Sequence, residues 1–502
     1  MAYLNVNRLH ILCFVLWQFA LFYAAQQIFP IFYNYNPERT CADLNFNFSK
    51  PQCELSKDEQ CKELKNCSDI VFKGKPPFRS MIQDFGMYCD DLEYDATMAA
   101  TIQFLGVLCG TVIYGHLGDY FGRRIVSIVG ISIGIIFGIA SGLAPNWKVF
   151  AALRFICGSS IACILIVFYT YILEIILPEQ RVFLRSFFNW GYARLVFTLV
   201  CFICGYWRSA AIATACLCLP IVPVLIFVLP ESPKWYRTKG RKKEVVKSEE
   251  RLAKIAGIKY DPSTEANQPV DNRIYTMAHL FATRQLGFRT VIMGSLWFST
   301  SLSAFGSDLN SGNLEGHFYL NQFVSGAVTA LAKIFVFLLD QYYLKFDRRR
   351  LHQLPQVLMI VCYLAIMILL MMPEKNCDDQ GGRNLAVIII NIIGVSLIEV
   401  TWDACYLVAV EIFPTHIRSI GIGTCSLLAR IGALLAPQMA YLSNIYKWLP
   451  YSVVCGIGFF SLIISFLFLP DTKGVNLDNV QKTQLSKKVT TLSDVKNNSS
   501  RL

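Results

Sequence analysis

The sequence predicts an all-α membrane protein with twelve transmembrane helices in two pseudo-symmetric six-helix bundles. Its 502 residues are 54% hydrophobic and only 16% charged, whereas a soluble chain carries about 25% charged residues. Mean hydropathy is +0.43. Apolar runs of roughly 20 residues, long enough to cross a bilayer as a helix, recur from end to end. Motifs of the first half also return in order in the second. Such a composition excludes an ordinary soluble enzyme, a disordered chain, nucleic-acid binding as the main role, and a small disulfide scaffold. A net charge of +11 is what cytoplasmic loops of a membrane protein supply, and it does not by itself point to an acidic ligand. Most of the 18 Cys lie inside apolar runs, where a thiol behaves as a small hydrophobe.

In chain order the spans fall near 9–29, 95–115, 125–143, 148–172, 186–206, 209–229, 289–306, 317–340, 354–372, 385–409, 419–441 and 449–469. The opening run is read as the first span and not as a cleavable signal peptide. It is long, lacks a small-residue cleavage site, and keeps Gln18, Gln26 and Gln27 inside an aromatic-rich helix. The loop 34–94 follows, with more Asp and Glu than Lys and Arg. It contains Cys41, Cys53, Cys61, Cys67 and Cys89 and two glycosylation sequons, Asn47-Phe48-Ser49 and Asn66-Cys67-Ser68. Both features suit an oxidising, extracellular face. Five is an odd number, so one cysteine needs a partner elsewhere, and Cys377, in the next sizeable outside loop, is the candidate.

Residues 231–288 form a polar, basic, helical insertion that separates an N-terminal bundle, 1–230, from a C-terminal bundle, 289–470. The tail 471–502 is rich in Ser, Thr and Lys and reads as disordered. Basic residues in the short connections set the orientation. Arg123, Arg124, Arg181, Arg185, the 234–251 cluster, Lys345, residues 348–350 and Arg418 all fall on one side. That side, with both termini, is expected to be cytoplasmic, in a multi-pass protein of the plasma membrane.

The two halves match at an offset of roughly 240 residues, as a duplicated six-span unit should. After span four comes Glu174-Ile-Ile-Leu-Pro178-Glu-Gln-Arg181, and after span ten Glu411-Ile-Phe-Pro414-Thr-His-Ile-Arg418, with Glu and Arg seven apart in both. Ala193-Arg194-Leu195 in span five matches Ala429-Arg430-Ile431 in span eleven. The halves end alike, in Leu229-Pro230-Glu231-Ser232-Pro233-Lys234 and Leu469-Pro470-Asp471-Thr472-Lys473-Gly474. Gly115-His-Leu-Gly118-Asp119-Tyr-Phe-Gly122-Arg123-Arg124 follows span two, and a lengthened, glycine-free counterpart, 340–350, follows span eight.

The 115–124 segment resembles the loop motif of the major facilitator superfamily, and Arg154-x-x-x-Gly158 resembles its fourth-helix motif, with Cys157 where Gln is usual. Pro230-Glu-Ser-Pro-Lys234-Trp235, the Cys-rich first outside loop, Leu309-Asn-Ser-Gly312-Asn-Leu and Glu411-Ile-Phe-Pro414-Thr-x-x-Arg418 together resemble the organic ion transporters of solute carrier family 22. The resemblance covers nearly the whole chain apart from the insertion and the tail. It implies a major facilitator fold, a midplane site, alternating access, a small organic ion as substrate, and exchange against a counter-transported anion. It also sharpens Lys333 and Arg430, because the anion-carrying branch has basic residues at these places, while the cation-carrying branch tends to have an acid in span eleven.

Elementary chemistry gives the loops a gating role. Glycines let two helix ends approach, Asp119 can cap a helix N-terminus, and Arg123 and Arg124 can pair across to the other bundle as a latch. Glu174 with Arg181, and Glu411 with Arg418, fit the same device at the equivalent loops, as Arg154 and Glu231 do by motif. The plainer alternative is positive-inside anchoring.

Charges inside spans mark pathways: here Arg194, Lys333, Glu399, Asp403 and Arg430. Lys333 and Arg430 would bind a carboxylate or sulfate, Arg through its planar fork and Lys as a point charge. Structural ion pairing and snorkelling to an interface are the alternatives. Glu399 and Asp403 stand four apart and share a helix face. They are either internal partners of Lys333 and Arg430, leaving a cavity suited to zwitterions, or a proton or cation site. Trp190, Tyr192, Phe188, Trp297, Phe298, Phe305, Phe323, Trp402 and Tyr406 lie on candidate cavity helices and would stack on a bulky substrate; facing lipid or packing helices is the plain alternative. No phosphate loop, metal-binding cysteine pair or nucleophile elbow occurs, and the six His are scattered. No cofactor, metal or enzymatic activity is therefore expected, and gradients must drive transport. Anions are expected ahead of cations and zwitterions, then a sugar porter, whose paired glutamines span seven lacks, then a non-transporting receptor on the same fold. Lipid is the other partner; nucleic acid is not one.

Overall fold

A computed structural model of the chain describes residues 6–37, 39–41, 62–63, 70–72, 76–87, 91–260, 277–314, 316–342, 348–372, 380–413 and 417–469. Asn47, Asn66, Cys53, Cys61, Cys67, Cys89, Cys377, Lys345 and the tail 471–502 lie outside the described residues. Cys41 is disulfide-bonded. The other described cysteines, such as Cys157 and Cys405, are free.

Twelve long helical segments alternate direction. The first is Arg8–Ala24, begun by a capping box in which the Asn7 side chain accepts from His10 N, and carried by two short turns to Tyr33. The next are Asp91–Phe121, Arg123–Gly142 and Trp147–Cys163, the last prolonged by a π-turn, Ile164–Phe168, into Tyr169–Ile175. The fifth is broken. Pro178–Phe187 ends at Phe188, and Trp190–Cys204 restarts on Asn189, whose side chain accepts from the backbone N–H groups of Gly191 and Tyr192. The sixth, Trp207–Cys216 with Ile221–Phe227, closes the first bundle. Between bundles lie Pro233–Thr238, capped by Ser232, and Lys242–Ala256. The second bundle is Arg284–Asn310, Phe318–Tyr342, Arg348–Met371, Gln380–Ile412, Arg418–Tyr441 and Leu449–Phe468. In the Cys-rich loop, Arg39–Cys41 pairs antiparallel with Ile70–Phe72.

Eleven of these are long and apolar enough to cross a membrane among the described residues. Arg284–Asn310, the seventh, is long enough at 27 residues but too polar, which departs from the expected twelve apolar windows. Its hydroxyls explain the departure. Ser295, Ser299 and Thr300 each donate to the carbonyl four residues back, at 2.8 to 2.9 Å, so they are satisfied inside the helix.

Close approach within a bundle depends on small residues. A Cβ on Gly158 would lie 2.1 Å from the Gln103 carbonyl oxygen, and one on Gly106 2.0 Å from that of Phe155, so the second and fourth helices touch backbone to backbone. The bundles meet along two seams, fifth against eighth and second against eleventh. On the side of the Cys-rich loop they are tied by several contacts. The rings of Phe104 and Phe305 are 5.4 Å apart, those of Phe32 and Phe318 5.3 Å, and Gln438 donates to Thr101 Oγ1 at 3.0 Å. These contacts wall the space between the bundles off from that side.

Candidate functional site

Between the bundles lies a cavity of about 180 Å³. The first bundle lines it with Trp17, Gln27, Leu165, Tyr169, Arg185, Phe188, Asn189 and Trp190. The second contributes Phe305, Asp308, Lys333, Glu399, Trp402, Tyr406, Ser426 and Arg430. Two local irregularities build this wall. The π-turn of the fourth helix ends at Tyr169, and such bulges recur at functional sites. The break at Phe188 and Asn189 turns the preceding short helix so that Arg185 reaches the cavity.

The charges pair selectively. Lys333 Nζ lies 2.8 Å from Glu399 Oε2 and 3.1 Å from Asp403 Oδ2. Arg185 holds Oδ1 of Asp403 at 2.9 Å, with its guanidinium 3.6 Å from the centre of the Tyr406 ring. Arg194, 2% exposed, crosses between the bundles. Its Nη1 lies 2.5 Å from Asp308 Oδ1 and its Nη2 donates to Gln322 Oε1 at 2.6 Å, while Gln322 donates to Ser311 Oγ at 3.0 Å. Arg430 is different. Among the described residues it has no ion-pair or hydrogen-bond partner, and its Nε is buried without an acceptor. Four cations thus meet three carboxylates, and the charge left over sits on Arg430.

The structure divides the residues singled out in the sequence. Lys333, Glu399, Arg430, Trp190, Phe188, Phe305, Trp402 and Tyr406 line the cavity, with Asp403 paired behind them. Glu399 and Asp403 partner Lys333 and Arg185, not Arg430, which corrects half of the pairing expected of them. Trp297 does not line the cavity; it is buried behind it, 4.2 Å from the Tyr406 ring centre. Phe298 sits against the eleventh helix, where its carbonyl faces Gly432. Tyr192 and Phe323 are turned to the outside, 37% and 46% exposed. Helical geometry explains both: Tyr192 is two residues, about 200°, beyond Trp190, and Phe323 is about 100° beyond the inward-facing Gln322. Arg185, Asp308, Gln322 and Tyr169 were missed.

The pairs that the described loop charges make lie within their own halves. Arg123 lies 2.5 Å from Asp119 and 3.7 Å from Glu174, and Arg124 donates to the carbonyls of Leu225 and Ile226 at 2.7 Å. Arg181 donates to the Leu173 carbonyl and not to Glu174. Likewise Glu411 faces Arg348 at 2.9 Å, and Arg418 donates to the Phe413 carbonyl. Glu231, not Asp119, caps the third helix. Its carboxylate accepts from Arg124 N at 2.9 and 3.0 Å, and a Cβ on Gly122, whose φ is +112°, would meet it at 2.5 Å. Burial raises the Glu231 carboxyl above its ordinary range against the pull of these backbone donors. Gly118 lies against Val167, but a Cβ on Gly115 would meet nothing within 4 Å, so no close approach depends on it. Arg154, fully buried, donates to Gln103 Oε1 at 2.9 and 3.0 Å and to the Gln26 side chain, which ties the fourth helix to the first two and leaves it no part in the loops.

Residues 46–483 match the family described as "Sugar (and other) transporter". An uncharacterized protein of Caenorhabditis elegans is 63% identical over 490 residues, covering 97% of this chain and 96% of its own. Mouse solute carrier family 22 member 7 is 30% identical over 393 residues, 76% of this chain and 69% of that protein. A Drosophila melanogaster organic cation transporter-like protein is 25% identical over 467 residues, 88% of this chain and 78% of its own. The inward-open xylose transporter XylE of Escherichia coli superimposes with a TM-score of 0.62 at 17% identity, covering 94% of this chain and 99% of that one. At that identity the likeness is one of fold.

Proposed function

Because the chain belongs to the sugar (and other) transporter family and within it to solute carrier family 22, and so is a multi-pass membrane transporter of the major facilitator type and not an enzyme, we propose that its cargo is a small organic anion held by Arg430. The observation that carries this is the unpaired guanidinium on the wall of a cavity whose other charges are matched. An arginine presents a planar fork to a carboxylate or sulfate, and the surrounding Trp17, Tyr169, Trp190, Trp402 and Tyr406 suit an aromatic or bulky apolar body. The surplus of one charge favours monoanions.

Transport proceeds by alternating access in the plasma membrane, with the basic side and both termini cytoplasmic. Opening toward the Cys-rich loop requires Arg194 and Asp308 to part. The Arg123–Glu174 and Arg348–Glu411 pairs, on the opposite side, act as the clusters that exchange partners as the bundles rock. The second reading is cation or zwitterion transport, favoured by Glu399 on the cavity wall.

Uptake in oocytes of a labelled aromatic carboxylate beside a labelled quaternary amine separates the two, with Arg430→Asp in parallel. Carboxylate uptake abolished by Arg430→Asp is the expected result. Amine uptake that survives or rises in the variant would overturn it, and surface expression with no flux from a broad panel would favour a receptor.

A further inference from the structure

We propose that Gln27 is a second contact for the cargo: its carboxamide hydrogen-bonds a neutral acceptor, such as a carbonyl oxygen, carried on the cargo's body away from the anionic end. The inference deepens the anion reading and rests on it for the charge of the cargo. Gln27 lines the cavity and is 1% exposed. Its Nε2 is buried without an acceptor, and the carboxamide has no partner among the described residues. A buried donor left unpaired is costly, so an acceptor that reaches it is retained. Gln18, on the same helix, also has an unpartnered carboxamide among the described residues, but it does not line the cavity. Position, and not the missing bond alone, singles out Gln27.

The local sequence presents this side chain. Pro30 has no N–H for the Gln26 carbonyl four residues back. The first helix tightens there into the turn Ala25–Ile28, and Phe29 N donates to that carbonyl instead, at 3.2 Å. Gln103 Nε2 and Arg154 Nη2 donate to the same oxygen at 2.7 and 3.2 Å. Arg154 also donates to the Gln26 side chain, whose Nε2 donates to Thr214 Oγ1 at 3.4 Å. Gln26 is thereby fixed toward the interior of the first bundle. Gln27 comes about 100–120° further round the axis and meets the cavity, where the turn packs against the seventh helix. A tightened turn inside a long helix is a common mark of a functional position. Gln27 belongs to the first bundle and Arg430 to the second, so a cargo that touches both is held by the two halves that must move.

The test measures the concentration dependence of uptake into proteoliposomes of the full chain. The probes are the meta and para acetylbenzoates and the matching isopropenylbenzoates, which share size and shape and differ in a carbonyl oxygen against a methylene. Each is also made with trimethylammonium in place of the carboxylate. For at least one ring position the wild type should take up the acetyl compound with a KM about two- to tenfold lower, the yield of one neutral hydrogen bond. Gln27→Met should erase that preference by weakening the acetyl compound alone. Its unchanged uptake of the isopropenyl compound shows that the variant is folded, and Gln27→Leu replaces it if it is not. Gln18→Met should keep the preference. Equal KM values for the matched compounds in the wild type, a preference that survives Gln27→Met, or its loss in Gln18→Met would overturn the proposal. Charge is read separately. If the trimethylammonium rings are carried and the benzoates are not, the anion reading fails, and the acetyl preference on that ring still decides the role of Gln27 by itself.

Discussion

Replacing Arg430 with Gln should separate function from stability in opposite directions. The guanidinium has no partner among the described residues, so its removal strands no acid in the cavity, and it relieves the burial of an uncompensated charge. The unfolding temperature should therefore hold or rise. A hydrogen bond to a charged group contributes about 1.5–3 kcal/mol, which at about 1.4 kcal/mol per decade predicts a roughly ten- to 150-fold weaker interaction with the anion. Lys333→Gln is the counterpart. Lys333 touches both Glu399 and Asp403, and removing one member of a buried ion pair costs about 3–5 kcal/mol. Reconstituted protein would be assayed for the concentration dependence of carboxylate uptake and, in parallel, by a thermal unfolding scan. If Arg430→Gln unfolds as early as Lys333→Gln while its uptake curve stays put, Arg430 is a structural partner and the reasoning fails.

Two further outcomes follow from the geometry. Burial would raise Asp84, but hydrogen bonds from Tyr206 and Trp207 and the charge of Arg79 outweigh it and hold the carboxyl below its ordinary range. Its folded value lies below its unfolded value of about 3.9, so its stabilisation is present above that pH and is lost as pH falls through the folded value. Unfolding curves of the wild type and Asp84→Asn should differ at neutral pH and converge in acid; parallel curves would refute this. A Cβ on Gly191 would lie 2.4 Å from Ala330 N across the seam between bundles, whereas one on Gly423 meets nothing within 4 Å. Gly191→Ala should cost about 1–3 kcal/mol of overpacking and slow uptake, with Gly423→Ala silent; equal uptake rates would discard the close seam as a working contact.

Hydropathy made eleven helices legible, because a bilayer demands long apolar stretches. The seventh helix, Arg284–Asn310, hides a polar face, since Ser299 and Thr300 satisfy themselves within the helix and a count of hydroxyls says nothing of that. Lys333, Glu399, Asp403 and Arg430 stood out as costly charges at membrane depth. Arg185 and Asp308 did not, as both lie near helix ends where charges are ordinary. Asn189 was the one available sign that Arg185 lies on a bent helix, for it is a strong cap residue inside an apolar run. Which carboxylate meets which cation was beyond the sequence. Asp403 pairs with Arg185 of the first bundle and not with Arg430, a matter of tertiary placement that spacing along one helix cannot carry.

The surplus charge also bears on how an empty carrier returns. To change faces, the cavity must close. With an anion on Arg430 it closes around a neutral pair, but empty it closes around a bare guanidinium, while Lys333, Arg185 and Arg194 keep their carboxylates in either case. Taking a lone ion out of water costs several kcal/mol even after relaxation. About 3 kcal/mol on the return step alone slows it by roughly 150-fold, so loaded transit outruns empty return and the protein should behave as an exchanger. Proteoliposomes preloaded with unlabelled carboxylate should take up labelled carboxylate tens of times faster than empty ones. Arg430→Gln should abolish that difference, because the variant closes empty as readily as loaded. Equal initial rates in loaded and empty wild-type vesicles would mean that water or a small inorganic anion accompanies Arg430 through the closed state, and that its charge selects the cargo without setting the cycle.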